Sequence, residues 1–239
     1  MKLDLVVLAA HPDDAEMSCG GTIASAIAQG KKVGIIDFTR GELGTRGTPE
    51  IRAAESAAAS NILQISAREN LGFRDGFFKN DEDHQMKLIA ALRRYQPDVV
   101  LANAIEDRHP DHGKGAALAV DSCFYSGLRM IQTFNFDGKP QNAWRPKAVY
   151  HYIQDRFIKP DLVVDISSFW DKKEASIRAY KSQFHDPNST EPESYLTSPE
   201  FLDFLKARSQ EMGHMIGSSY GEGYTKTKPI GIKDLFGLI

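Results

Sequence analysis

Two short polar clusters hold most of the residue types that hydrolytic chemistry needs. His11-Pro12-Asp13-Asp14 follows one apolar run, and Asp107-Arg108-His109-Pro110-Asp111-His112-Gly113 comes soon after another that ends at Leu101-Ala102. Between them they supply three imidazoles and several carboxylates, the nitrogen and oxygen donors that suit Zn2+ or a related divalent ion. His11 and Asp14 lie three residues apart in a turn that Pro12 stiffens, so both can converge on one ion while Asp13 projects differently. With His112 as third ligand the set is two nitrogens and one oxygen, which leaves positions open for water and substrate. Asp13 is then the expected general base for a water whose pKa the ion lowers toward ~7. His109 is expected to be an acid or oxyanion stabiliser, protonated and oriented by Asp111. Either cluster alone also fits a capped turn, because Asp favours helix caps and Pro favours turns. Two of them at two strand ends point instead to a metal centre.

The elements that must position these clusters alternate in type. The apolar, β-branched run 3–9 reads as a strand covered on both faces. A helix over 18–29 stops at Gly30, and a second strand follows over 32–37. Thr48 and Pro49 read as N-cap and first-turn proline of an Ala-rich helix over 50–63. A short strand over 70–73, a helix over 83–95 ended by Pro97, and a strand over 99–102 continue the alternation. Further strands are expected over 148–153 and 162–166, with amphipathic helices over 169–180 and 199–212 and long loops over 127–146 and 186–198. This order predicts a single α/β domain spanning 1–239, with a Rossmann-like, mostly parallel sheet flanked by helices and ligands bound beyond the C-terminal strand ends.

Ala10-His11-Pro12-Asp13-Asp14-Ala15-Glu16 and His109-Pro110-Asp111-His112 resemble the two signature motifs of the zinc-dependent PIG-L/LmbE-like N-acetylglucosamine deacetylases. Within that family the chain is similar to the bacillithiol-pathway branch. This closer likeness rests on residues 39–48, on Glu50-Ile51-Arg52, on the second cluster, and on Tyr180-Lys181-Ser182-Gln183-Phe184. The resemblance implies a Rossmann-like fold without nucleotide cofactor, zinc on His11, Asp14 and His112, Asp13 as base, and His109 assisting the tetrahedral intermediate. It also implies hydrolysis of the acetamide of N-acetylglucosaminyl L-malate to glucosaminyl malate and acetate, and a homo-oligomer such as a hexamer. Amidases acting on thiol conjugates and deacetylases of other sugar conjugates share the core motifs. Fe2+ suits the same donor set as Zn2+.

A malate group carries two carboxylates, which calls for guanidinium forks, and Arg52 and Arg108 are the expected substrate contacts. Arg40, Arg46 and Tyr195 are weaker candidates. The loop 41–47 has no Gly-Lys-Ser/Thr ending and so is no phosphate cradle, and Cys19-Gly20-Gly21 is no dinucleotide fingerprint. Cys19 and Cys123 read as core thiols, and His84, His151, His185 and His214 as structural or surface residues.

Composition sets the remaining bounds. The chain has 239 residues, 29 Lys plus Arg against 32 Asp plus Glu, and a net charge of -3, so no basic field draws nucleic acid or anionic lipid. The N-terminal apolar run is short, carries Asp4, and ends at the first cluster, which reads as a strand and not a signal peptide. A cytoplasmic small-molecule enzyme is the resulting expectation. Its rivals are a non-catalytic sugar- or nucleotide-binding module, which predicts no bound metal, and a two-metal phosphoesterase.

Overall fold

The computed structural model describes residues 1–232; the remainder of the expected 1–239 domain lies outside the described residues. Among the described residues, seven strands form one sheet in the order β3-β2-β1-β4-β5-β7-β6. They are β1 (Leu5–Ala9), β2 (Val33–Thr39), β3 (Ala67–Phe73), β4 (Val99–Ala102), β5 (Ala148–Tyr152), β6 (Leu162–Asp165) and β7 (Gly221–Lys226). The pairs joining β3, β2, β1, β4 and β5 are all parallel. β7 runs antiparallel between β5 and β6. The expected α/β class is thus the observed one, with a mixed edge.

The helices are α1 (Asp14–Ala28), α2 (Pro49–Leu63), α3 (Glu82–Tyr95), α4 (Pro110–Tyr125), α5 (Trp170–Arg178) and α6 (Phe201–His214). Alternation along β1 explains why it is apolar throughout. Val6, Leu8 and Ala10 face one buried cluster with Leu88, Leu92 and Leu118 of α3 and α4. Leu5, Val7 and Ala9 face another, with Ala15, Cys19 and Ile23 of α1. A third cluster, including Ala59, Ile177, Tyr180, Phe184 and Phe201, ties α2, α5 and α6 together. Among the described residues, no helix is long and apolar enough to cross a membrane.

Several local readings hold. The Thr48 side chain accepts from Ile51 N at 3.3 Å, with Pro49 in the first turn of α2. Both cysteines are free and buried, and burial pushes the Cys123 thiol up to about 12 and Cys19 well above its usual range. Other boundaries move. The first helix starts at Asp14 rather than residue 18, because a break at Cys19 (φ -142°) separates an initial turn from the rest. Glu222 mends the break by accepting from Gly21 N at 2.9 Å and Thr22 N at 2.7 Å, while Lys173 pairs with it at 2.7 Å. That contact also holds β7, whose Gly-rich, polar sequence does not read as a strand, against α1 and α5.

The crossover that matters for function lies at β1. The chain leaves β1 through α1 to β2 and β3 on one side, then returns through α3 to β4 on the other. A crevice forms where the strand order reverses, beyond the C-terminal ends of β1 and β4. Both polar clusters emerge there.

The packing of β1 makes a simple prediction. Leu8→Ala, at a fully buried position, should lower the unfolding free energy in urea by ~2–5 kcal/mol. Met130→Ala, at a side chain 92% exposed, should change it by no more than ~0.5 kcal/mol.

Candidate metal centre and active site

The turn after β1 and the N-terminus of α4 bring His11, Asp14, His109 and His112 into one cavity with Asp13. Asp14 sits at the centre. Its Oδ1 lies 3.2 Å from His112 Nε2 and its Oδ2 lies 3.6 Å from His11 Nδ1. A tetrahedral ion bound at ~2.0–2.1 Å would hold its ligand atoms about 3.3 Å apart, close to each of these two Asp14–imidazole separations taken singly. Among the described residues, the groupings whose donor atoms all lie within 4.8 Å of one another are His11, His109 and His112, and His11, Asp75 and Asp111, so the choice of ligands rests on how the rings are oriented.

The back sides of the rings choose between these groupings. His11 turns Nδ1 toward Asp14, and its Nε2 lies 3.1 Å from Asp75 Oδ1 and 3.4 Å from Asp111 Oδ2. His112 turns Nε2 toward Asp14, and its Nδ1 lies 2.5 Å from Asp107 Oδ2. Each ring therefore offers one nitrogen toward Asp14 and rests the other on a buried carboxylate, the arrangement that fixes tautomer and orientation in a metal-ligating histidine. Asp75 and Asp111 read best as supports of His11, and His11, Asp14 and His112 as the ligand set.

Charge supports this fit. Burial opposes a charged His11, yet hydrogen bonds to Asp111, Asp14 and Asp75 raise it well above its usual range. Burial likewise opposes a charged His112, but the Asp14 charge and the Asp107 hydrogen bond bring it to about 9. Asp14 is held well below the usual carboxylate range despite its burial, chiefly by the His112 charge and by hydrogen bonds from His11 and His112. Buried carboxylates here demand positive charge, which a divalent ion can supply in place of protons. Asn103 Nδ2 and Gln154 Nε2 donate to Asp14 at 3.1 and 3.0 Å, completing its hydrogen bonds.

Asp13 occupies a backbone conformation rare for a non-glycine residue, φ 114° and ψ -30°. Such strain costs on the order of 1–3 kcal/mol and needs surrounding contacts to hold it. Arg52 is the main one: its Nη2 donates to Asp13 Oδ2 at 2.9 Å and to the Pro12 carbonyl, and its Nη1 donates to Gln183 Oε1 at 3.0 Å. Burial raises the Asp13 carboxyl to about 7, with the Arg52 charge pulling the other way and Asp14 adding to the rise. A carboxylate near neutrality suits a general base. Arg52 lines the cavity and is 4% exposed, with its guanidinium shared among Asp13, the Pro12 carbonyl and Gln183. Gly41 (φ 66°) passes so close that an added Cβ would lie 2.8 Å from Arg52 Nη1.

His109 caps α4. Its Nδ1 accepts from Asp111 N at 3.3 Å, which leaves the ring proton on Nε2. Burial and the neighbouring His11 and His112 charges lower its pKa, which runs against the protonated ring expected from sequence. The Asp111 carboxylate does not orient this ring. It accepts from Gly76 N at 2.9 Å and pairs with Lys114 at 2.5 Å beside His11, because the start of α4 turns it toward the 75–76 turn. The expectation that Asp111 orients His109 through its side chain is corrected accordingly.

Arg108 stands at the rim, 44% exposed, stacked 4.0 Å over the Tyr195 ring and 3.5 Å from Asp155 Oδ2. Tyr195 donates to Asp155 Oδ1 at 2.7 Å. Arg46 donates to Pro192 O at 2.6 Å and Glu191 O at 3.0 Å, tying down the 186–198 loop rather than facing solvent. The Tyr180–Phe184 segment braces the site from behind: Tyr180 donates to Glu16 at 3.0 Å, Ser182 to Glu55 at 2.8 Å, and Gln183 to Arg46 O at 2.8 Å. Asp75, Gln154 and the orienting role of Asp107 escaped sequence reading. Asp107 had a signal, a carboxylate five residues before His112, whereas Asp75 and Gln154 had none.

The PIG-L model, described as GlcNAc-PI de-N-acetylase, matches residues 6–123, which span both clusters. The solved conserved protein TT1542 from Thermus thermophilus is 38% identical, with TM-score 0.86 and 98% of each chain covered. Diacetylchitobiose deacetylase from Thermococcus kodakarensis is 25% identical, covering 89% of this chain and 79% of that protein. 4-Oxalmesaconate hydratase from Pseudomonas putida is 27% identical, covering 75% and 74%. A probable N-acetyl-alpha-D-glucosaminyl L-malate deacetylase 2 from Bacillus cereus is 26% identical, covering 77% and 84%. The chain belongs to the PIG-L family.

The ligand assignment has a direct consequence. His112→Ala should abolish retention of zinc in chelator competition, while Asp107→Ala, which leaves the ligands in place, should weaken zinc binding by roughly 10–100-fold. Equal retention by wild type and Asp107→Ala would contradict the role given to Asp107.

Proposed function

We propose that this protein is a metal-dependent amide hydrolase that removes the acetyl group from an N-acetylglucosamine conjugate. The observation that carries this reading is that Asp13 and His109 line one cavity together with His11, Asp14 and His112. A bound divalent ion, for which zinc is our choice and iron the alternative, supplies Lewis acidity toward the amide carbonyl and acidifies water. Asp13, held by Arg52, accepts the proton of the attacking water. His109 donates from Nε2 to the carbonyl oxygen as negative charge develops there. Asp13 then returns its proton to the leaving amine, giving acetate and a free amino sugar.

As substrate we favour N-acetylglucosaminyl L-malate, which would give the protein a place in bacillithiol biosynthesis. Arg108 supports this choice, being an exposed guanidinium on the wall shared with His112, where it can meet a malate carboxylate. Similarity to the Bacillus cereus protein is consistent with it, but the diacetylchitobiose deacetylase is about as similar.

The test is acetate release from N-acetylglucosaminyl L-malate, diacetylchitobiose and N-acetylglucosamine, using metal-stripped and zinc-restored protein, with 4-oxalmesaconate hydration as a parallel assay. Zinc-restored turnover favouring the malate conjugate is expected. Preference for another conjugate would remove the pathway assignment, and hydration without acetate release would remove the hydrolase reading. Asp13→Ala should lower kcat by about 10²–10⁴-fold while zinc stays bound. Arg108→Ala should raise KM for the malate conjugate more than for N-acetylglucosamine.

A further inference from the structure

A second chamber adjoins His112. It shares Met17, Arg108, His112 and Leu196 with the polar cavity, so the two meet along one wall of the metal centre. Its own lining adds an apolar side that the polar cavity lacks. Ile153, Phe201, Phe204, Leu205 and Met212 form that side, contributed by the residue after β5 and by α6, while Lys173, Asp155 and Glu222 also line the chamber. Arg208 fixes α6 in place by donating to the carbonyls of Gln154 and Asp155, each at 3.2 Å. Gln154, which donates to Asp14, also lines this chamber. The apolar space thus begins one side chain away from the residue at the centre of the ligand set.

An amide held at this centre has two arms. The sugar arm carries hydroxyls and charge, and it belongs in the polar cavity with Asp13, His109 and the rim arginine. The acyl arm is apolar and must leave the carbonyl in the other direction. We propose that the apolar chamber is an acyl subsite with room for more than a methyl group, so that the protein hydrolyses N-acyl amino sugars with chains of about four to six carbons as well as N-acetyl ones. This rests on the amide-hydrolase reading and extends its substrate class. In the reaction, water adds across the C–N bond, the acyl carbon leaves as a carboxylate, and the nitrogen leaves as the free amine.

The experiment compares N-acetyl, N-butanoyl and N-hexanoyl glucosaminyl L-malate with zinc-restored wild-type protein, alongside calorimetric binding of acetate, butanoate and hexanoate. Each methylene buried in the chamber is worth about threefold to fourfold in affinity. The expected result is kcat/KM for the hexanoyl conjugate at least tenfold above the acetyl conjugate, with hexanoate binding tighter than acetate in step. Leu205→Trp, which narrows the chamber away from the ligand set, should reverse the hexanoyl preference. Hydrolysis confined to the acetyl conjugate, with hexanoate binding no tighter than acetate, would overturn the proposal and leave the deacetylase reading standing. No hydrolysis of any conjugate would remove both.

Discussion

The buried carboxylate of Asp14 is the constraint around which this molecule is arranged. It stands at the start of α1, where the strand order reverses, and contacts an imidazole from each of the two clusters. Negative charge buried this deeply is costly unless it is matched by hydrogen bonds and by positive charge. Asn103 and Gln154 provide the first, and the two imidazoles, or an ion between them, provide the second. The acidic residues behind those imidazoles, Asp75, Asp111 and Asp107, then serve to aim them.

The same arrangement separates two tasks between neighbouring residues of one turn. Asp14 is drawn down in pKa by its histidines, while Asp13, one residue earlier, is pushed up by burial and steadied by Arg52. The strained Asp13 backbone is what parts the two side chains, and Arg52 holds that strain through the Pro12 carbonyl as well as the carboxylate. Arg52 is in turn positioned by Gln183 and by a glycine loop that leaves it room. One acid can therefore serve as ligand and its neighbour as base.

Much of this was legible in the sequence because it depends on local pattern. The apolar run of β1 and the Thr48-Pro49 start of α2 announce the fold, and the two His-Pro-Asp clusters announce the site. What was not legible depends on distant pairing. β7 carries two glycines and alternating polar residues, and it is a strand only because β5, β6 and the Glu222 contact hold it. Asp75 reaches His11 across 64 positions, and Gln154 reaches Asp14 across 140, so no spacing rule could find them. Asp111 was placed in the right cluster but on the wrong ring, because the first turn of α4 sets its direction. Arg52 was read from its charge as a substrate contact, and its buried bond to Asp13 across 39 positions had no local signal.

The central claim is that a single ion belongs between His11, Asp14 and His112, with Asp75, Asp111 and Asp107 outside its coordination. Anomalous diffraction at the zinc edge from crystals of zinc-restored protein tests it most directly. The account predicts one strong peak within ~2.0–2.2 Å of His11 Nδ1, an Asp14 oxygen and His112 Nε2. A peak on His11, Asp75 and Asp111 instead, or no peak at full zinc loading, would contradict it.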